Sequence, residues 1–271
     1  LHISAKRLAH LLVLAILVLP LGLLILHLAF MVKASQSTEI ISCQQVWAHR
    51  GAHTEHPENS LAAFTAAFEQ GTRGVELDVH FDSQSNQFVV SHDAIAQQAL
   101  ANALTLEAVF AKLGGAGYYW LDFKNLVDLS QIQRLQALAE LEQLIKAFDV
   151  PKSHLIVESI AIDGLVIFTQ ADFITSYWLT LNDELSPLSY GNYAFRIKAK
   201  YLLGQFRVIS TDINNYTDNF GIHFPQIPTL LFTVNEPSLI NALFTEARVR
   251  VILTDHGAPA TFDLCQGAIA K

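Results

Sequence analysis

Charge and sulfur are both scarce in this chain. Only 15% of its 271 residues are charged, and it holds two cysteines and one methionine. Two cysteines are too few for a disulfide scaffold, and Cys43 and Cys265 lack the close spacing of metal ligands. Basic runs are absent and the net charge is −8, which argues against a nucleic-acid partner, because nothing is there to neutralise phosphates. Disorder is excluded as well, since half of the residues are hydrophobic. There is no internal repeat, no low-complexity tract and no Gly-rich phosphate loop after the first apolar strand pattern. The last of these absences weighs against a doubly wound dinucleotide-binding sheet.

Apolar sequence is present in a concentrated form. Residues 8–32 contain no Asp, Glu, Lys or Arg, and at about 1.5 Å per residue such a run crosses a hydrocarbon core of roughly 30 Å. The segment reads as a transmembrane signal anchor, with Pro20 and Gly22 tolerated inside it and His27 an incidental polar residue. A cleaved signal peptide is the competing reading, disfavoured because the run is longer than a usual h-region. Lys6 and Arg7 precede the run and Lys33 follows it, so the positive-inside rule puts the N-terminus in the cytoplasm and the remainder outside, in the periplasm of a Gram-negative cell. The expected organisation is an anchor at 1–32, a polar linker at 33–44 and one domain at 45–271.

From residue 45 short apolar runs alternate with helical patterns. Strands are expected at 46–49, 74–80, 118–124, 155–158, 173–179, 207–210, 229–233 and 250–254, with a short extra strand at 88–91 pairing with an extension of the second. Helices are expected at 60–70, 105–113, 130–148, 160–169, 192–203, 214–221, 236–246 and 258–269. Eight strand–helix units predict an α/β fold, a (β/α)8 TIM barrel behind a single N-terminal transmembrane helix. Cys43 and Cys265 would be neighbours in such a ring. A disulfide and two free thiols are both compatible with this, free thiols being preferred.

The chemistry-bearing residues fall where such a barrel keeps its active groups, at the C-terminal ends of strands. His49 and Arg50 end the first strand. Glu76 and Asp78 are two apart on the second, so both project from one face, and Asp122 and Lys124 repeat that spacing on the third. His92 and Asp93 follow the short extra strand. Carboxylates crowded inside an apolar barrel repel one another unless a cation lies among them, and oxygen ligands suit Mg2+ or Ca2+. Taken singly, these residues are ordinary: an E-x-D on a strand more often marks a solvated face, and a lone histidine near a turn is more often a cap. Their joint occurrence at consecutive strand ends is what points to a phosphate-ester site.

In order and spacing, His49-Arg50-Gly51, Pro57-Glu58-Asn59-Ser60, Phe64, Ala67, Gly71, Glu76-x-Asp78, Val89-Val90, His92-Asp93, Asp122-x-Lys124, Thr233-Val234-Asn235 and Thr254-Asp255 resemble the glycerophosphodiester phosphodiesterase family. The resemblance implies a metal-dependent (β/α)8 hydrolase that splits a glycerophosphodiester into glycerol 3-phosphate and an alcohol, using one divalent cation, Mg2+ or Ca2+. Carried over by position, it implies metal ligation by Glu76, Asp78 and Asp122, acid–base roles for His49 (base) and His92 (acid), and phosphate binding by Arg50 and Lys124.

Three departures qualify it. Asp122 stands where the family usually has Glu and resembles the Asp-x-Lys of spider-venom-type phospholipases D. Only about 25 residues separate His92 from the next barrel strand, where the family carries a capping insertion, so a more open cleft is expected. Phe232 takes the place of a usual Trp. Glu158, Tyr177, Trp178 and Asp212 are further candidates for the pocket wall. Two other functions compete: a lysophospholipase D-type activity on lysophospholipids, and a non-catalytic, membrane-tethered barrel that binds a polar headgroup.

Overall fold

The computed structural model describes residues 5–36, 41, 43–181 and 183–256. After a long helix α1 (Ala5–Gln36) come β1 (Gln45–Ala48), α2 (Leu61–Glu69), β2 (Gly74–Asp82), β3 (Gln87–Val90), α3 (Leu106–Leu113), β4 (Tyr118–Phe123) and α4 (Gln131–Ala147). The second half runs β5 (Leu155–Ser159), α5 (Ile162–Gln170), β6 (Ile174–Trp178), α6 (Pro187–Leu202), β7 (Val208–Asp212), α7 (Asp218–His223), β8 (Thr229–Phe232), α8 (Pro237–Leu243) and β9 (Val249–Thr254). Parallel pairing runs β2-β4-β5-β6-β7-β8-β9-β1, and β1 also pairs with β2, so eight strands close into a barrel. The short strand β3 pairs antiparallel with the C-terminal end of β2. The expected fold class and strand positions are therefore what the chain adopts.

Local chemistry sets the helix starts. Ser60, Thr105, Ser130, Ser186 and Thr217 each accept a hydrogen bond from a backbone N–H in the first turn of the helix that follows, the N-cap arrangement that satisfies an otherwise orphan donor. Helix α6 starts at Pro187, earlier than the expected 192, because Ser186 caps it and proline suits the first helical position. The helix expected over 214–221 is divided. The Asp212 side chain accepts from Asn214 N–H to form a 3-10 turn, and Thr217 then opens α7. The helix expected at 258–269 lies outside the described residues.

Two layers of side chains fill the barrel in register. Glu76, Trp120, Ile156 and Ile174 face one another on adjacent strands, and one step up lie Asp78, Asp122, Glu158 and Ser176. The lower layer is apolar apart from Glu76, and the upper is polar. Below both, the fully buried Trp47 lies against Gly74, where a Cβ would stand 2.4 Å from the indole, and stacks on Tyr118 at 5.6 Å between centroids. Glycine is required at 74 because the indole occupies the space of any side chain. The main core lies between barrel and helices, with Phe64, Leu121, Leu141, Phe168 and Phe220 among its buried members.

Helix α1 is long and apolar enough to cross a membrane. Its C-terminal turns leave that role and pack on the barrel: Phe30 and Ala34 are fully buried, and Phe30 meets Tyr201 edge-to-face at 5.3 Å. The helix continues to Gln36, into the stretch expected as linker, because Lys33 Nζ donates to the carbonyls of Tyr201 (2.7 Å) and Leu202 (3.1 Å) at the C-terminal end of α6. His27 is not incidental, since its Nδ1 lies 3.0 Å from Lys198 Nζ. Cys43 is disulfide-bonded, which corrects the preference for free thiols; Cys265, the chain's other cysteine, lies outside the described residues.

Candidate active site

The turn after β1 organises the site. Arg50 and Gly51 both take positive φ (53° and 79°), and Gly51 packs so closely on α2 that a Cβ there would sit 2.7 Å from the Ala63 backbone. This turn aims Arg50 N–H at Glu76 Oε2 (2.9 Å) and the Arg50 guanidinium at Asp78 Oδ2 (3.1 Å) and Glu58 Oε2 (3.0 Å). The Pro57-Glu58-Asn59-Ser60 segment acts as one device. Glu58 holds Arg50, Asn59 Nδ2 donates to Asp78 Oδ2 (2.7 Å) while its Oδ1 accepts from Asp78 N–H (3.1 Å), and Ser60 caps α2.

Glu76, Asp78 and Asp122 are buried, and one oxygen from each lies within 4.8 Å of the others. Lys124 donates to Asp78 Oδ1 (2.7 Å) and to Asp122 Oδ2, so its ammonium bridges two carboxylates. Burial, then the charges of Asp78 and Asp122, push the Glu76 carboxyl well above its ordinary range. Burial also raises Asp122, against the opposing Lys124. Asp78 goes the other way: burial would raise it, but hydrogen bonds and charge from Lys124, helped by Asn59 and Arg50, hold it low. Lys124 itself is raised, because the two carboxylates outweigh its own burial. A cluster of three oxygen donors, one of them forced toward the neutral form, fits a hard divalent cation.

His49 follows β1, the strand beside β2. Its Nδ1 is 2.8 Å from Asp255 Oδ1, and Asp255 is fixed in turn by Asn235, whose Nδ2 donates to Oδ2 (2.8 Å) and whose Oδ1 accepts from Asp255 N–H (2.8 Å). Asp255 accepts from Nδ1, leaving Nε2 as the acceptor, 4.0 Å from Glu76 Oε2. Burial lowers the His49 pKa, with Asp255 acting against that shift. For Asp255, burial is outweighed by hydrogen bonds from Asn235 and His49, and its pKa falls. His53 joins this group through the His49 carbonyl (2.7 Å) and Asp255 (3.4 Å). His92, on the loop after β3, is half-exposed, and its Nδ1 is 2.9 Å from Asp93 Oδ1.

All seven expected residues, His49, Arg50, Glu76, Asp78, His92, Asp122 and Lys124, line one cavity of about 190 Å³ at the C-terminal mouth of the barrel. Glu158, Trp178 and Phe232 also line it, with Trp120, Thr233 and Leu253. Tyr177 and Asp212 do not line it: Tyr177 packs on Phe206 at 5.4 Å, and Asp212 caps the turn that follows it. Glu158 is buried, one of its carboxyl oxygens has no hydrogen-bond partner, and burial followed by the charge of Asp122 raises it well above the ordinary range. Sequence reasoning assigned no role to Asn59, Asn235, His53 or Asp255. The available signal was position, since Asp255 follows the last barrel strand and must face the first.

Comparison with known proteins agrees with this architecture. The profile of the glycerophosphoryl diester phosphodiesterase family matches residues 49–156, which include all seven expected site residues. That match spans less than half of the chain. A glycerophosphodiester phosphodiesterase from Caldanaerobacter subterraneus is 48% identical over 48 residues, 18% of this chain and 19% of the relative. The alignments to curated relatives thus span about a fifth of those proteins' own length. Among solved structures, a glycerophosphodiester phosphodiesterase from Parabacteroides distasonis superposes with a TM-score of 0.58 at 22% identity, covering 78% of this chain and 92% of that one. An Oleispira antarctica phosphodiesterase, solved in complex with its product sn-glycerol-3-phosphate, gives 0.60 at 19% identity over 85% and 98% of the two chains. At these identities the solved structures establish the fold.

Proposed function

We propose that the chain is a membrane-tethered, divalent-cation-dependent phosphodiesterase that hydrolyses glycerophosphodiesters to glycerol 3-phosphate and an alcohol. The observation that carries this reading is the convergence, in one cavity, of a carboxylate triad, two cations and two imidazoles. The phosphodiesterase from Oleispira supports it, having the same fold and a glycerol 3-phosphate product.

Arg50 and Lys124 would bind the phosphodiester's non-bridging oxygens, and their fixed positions stabilise the charge that grows there as the bond order changes. His49, its Nε2 free to accept, takes the proton of the attacking oxygen; His92 gives one to the leaving alkoxide. The bond formed is between phosphorus and that oxygen, and the bond broken is phosphorus to the alcohol oxygen. Glu76, Asp78 and Asp122 would hold Mg2+ or Ca2+, which when bound neutralises part of the phosphate charge. The positive residues Lys6 and Arg7 favour a cytoplasmic N-terminus with the barrel outside, in the periplasm of a Gram-negative cell.

Lysophospholipids are a second substrate class, favoured by the short connection between His92 and β4. The cavity, roughly six waters' share of liquid volume, holds a phosphate and a small polyol, so an acyl chain would lie outside it. The test is release of glycerol 3-phosphate from glycerophosphocholine and glycerophosphoethanolamine, and of lysophosphatidic acid from lysophosphatidylcholine, each with and without EDTA. Turnover abolished by EDTA and restored by Mg2+ or Ca2+ is expected. Turnover indifferent to chelation would overturn the cation assignment, and no turnover despite bound cation would favour a headgroup-binding barrel.

A further inference from the structure

Away from the catalytic cavity, α1, α6 and α7 enclose a larger groove of about 680 Å³. Its walls are apolar, with Leu19 and Leu23 on α1, Leu188 and Phe195 on α6 and Ile222 on α7; Lys198, His27 and His223 are the basic groups that line it. Leu188 is 85% exposed and Ile222 66% exposed, an unusual loss of apolar burial for two neighbouring helices.

The direction of α1 says what lies beyond this groove. His27 meets Lys198, and Lys33 meets the carbonyls of Tyr201 and Leu202, so α1 and α6 run parallel. Helix α6 begins just after the C-terminal end of β6, at the catalytic rim, and ends at the opposite face of the barrel. The N-terminal part of α1 therefore leaves the barrel past the catalytic rim. The apolar run that precedes His27 therefore enters the membrane on the rim side. Leu188, at the start of α6, lies toward the lipid, and Lys198, about 15 Å further along the helix, lies away from it.

Lys198 is only 6% exposed and forms no ion pair among the described residues; its neighbours are His27 Nδ1 and the rings of Phe30 (5.6 Å) and Phe224 (6.0 Å). Burial lowers its pKa to about 8, which still leaves it mostly protonated at neutral pH. A buried cation without a counter-ion is costly, and an anionic group entering beside it removes that cost. We propose that this groove seats an anionic phospholipid from the adjoining leaflet, its acyl chain along α1 and its phosphate against Lys198 and His223, holding the catalytic rim on the membrane. The inference rests on α1 being a membrane anchor and not on the reaction catalysed, and neither readout below uses activity.

Two measurements on the full chain test it. Native mass spectrometry from micelles doped equally with phosphatidylglycerol and phosphatidylcholine should show phosphatidylglycerol retained about tenfold better, as one charge-assisted contact implies. Lys198→Met should erase that preference, and His223→Gln, a milder change, should reduce it. Equal retention of both lipids by the unaltered chain, or a dimer with no lipid bound, would overturn the seat. In vesicles, a nitroxide at Leu188→Cys should relax with oxygen and be shielded from a water-soluble nickel chelate, whereas one at the exposed Lys112→Cys should be open to nickel. Equal nickel access at the two positions would overturn the orientation.

Discussion

Replacing Asp255 tests whether His49 is a positioned base. Asp255 Oδ1 lies 2.8 Å from His49 Nδ1 and is itself fixed through both faces of Asn235. A hydrogen bond to a charged group contributes about 1.5–3 kcal/mol, and each 1.36 kcal/mol of barrier is about tenfold in rate. Asp255→Ala should accordingly lower kcat/KM by roughly 10- to 150-fold through loss of that one contact. Asp255→Asn should lower it further, because its amide can donate to Nδ1 and drive the proton to Nε2, leaving no acceptor at the attacking oxygen. The pH profile supplies an independent sign. Asp255 raises the His49 pKa against the lowering by burial, so its removal lowers that pKa again. The acid limb of kcat/KM, where His49 becomes protonated, should then move to lower pH. The assay is glycerophosphocholine hydrolysis from pH 4 to 9, with thermal unfolding as the control for folding. Activity within threefold of the parent in both variants, with the acid limb unmoved, would refute the role of the pair.

The other expectations concern the carboxylates and the crosslink. Burial and like charge raise the Glu76 carboxyl, which favours its protonated form in the absence of a cation. Cation binding should therefore release a proton and tighten as pH rises; titration calorimetry in buffers of different ionisation enthalpy checks this, and a buffer-independent heat with pH-independent affinity would contradict it. Asn59→Ala removes both hydrogen bonds to Asp78. It should cost about 2–3 kcal/mol of stability and weaken cation binding, whereas unchanged urea unfolding and affinity would show that Asn59 does not support the carboxylate. Thiol titration of the denatured, unreduced chain should find no free cysteine and find two after reduction, since Cys43 is disulfide-bonded and the chain has one other cysteine. Two thiols before reduction would contradict the crosslink.

Most of this fold was readable because it obeys simple periodicities. Strand–helix alternation places every barrel strand, and the i, i+2 spacing of Glu76 with Asp78 and of Asp122 with Lys124 puts four candidate site residues on inward faces. What escaped depends on closure of the ring. Asp255 and Asn235 lie at the far end of the chain and gain meaning only because β9 pairs with β1. Asn59 stands just before the helix expected at 60–70, which its neighbour Ser60 caps, and its hold on Asp78 needs a positive-φ turn that no periodicity encodes. The sequence places His27 in a lipid-facing helix and Lys33 in the linker after it. Packing against α6 overrides that context, as tertiary contacts commonly override a local pattern. Helix boundaries in α6 and α7 moved for a related reason, since the caps Ser186 and Thr217 decided them rather than the apolar stripe.

Trp47 has a consequence for traffic through the barrel. Seated on Gly74 and stacked on Tyr118, it closes the end opposite the catalytic mouth, and the apolar layer with Trp120 and Ile156 fills the space above it. The cavity is a blind alley. In the proposed hydrolysis, substrate and both products would share a single doorway, and the fragment nearer the opening would have to depart before the one behind it. Release is thereby ordered by depth, and whichever product sits deepest competes directly with the next substrate for entry.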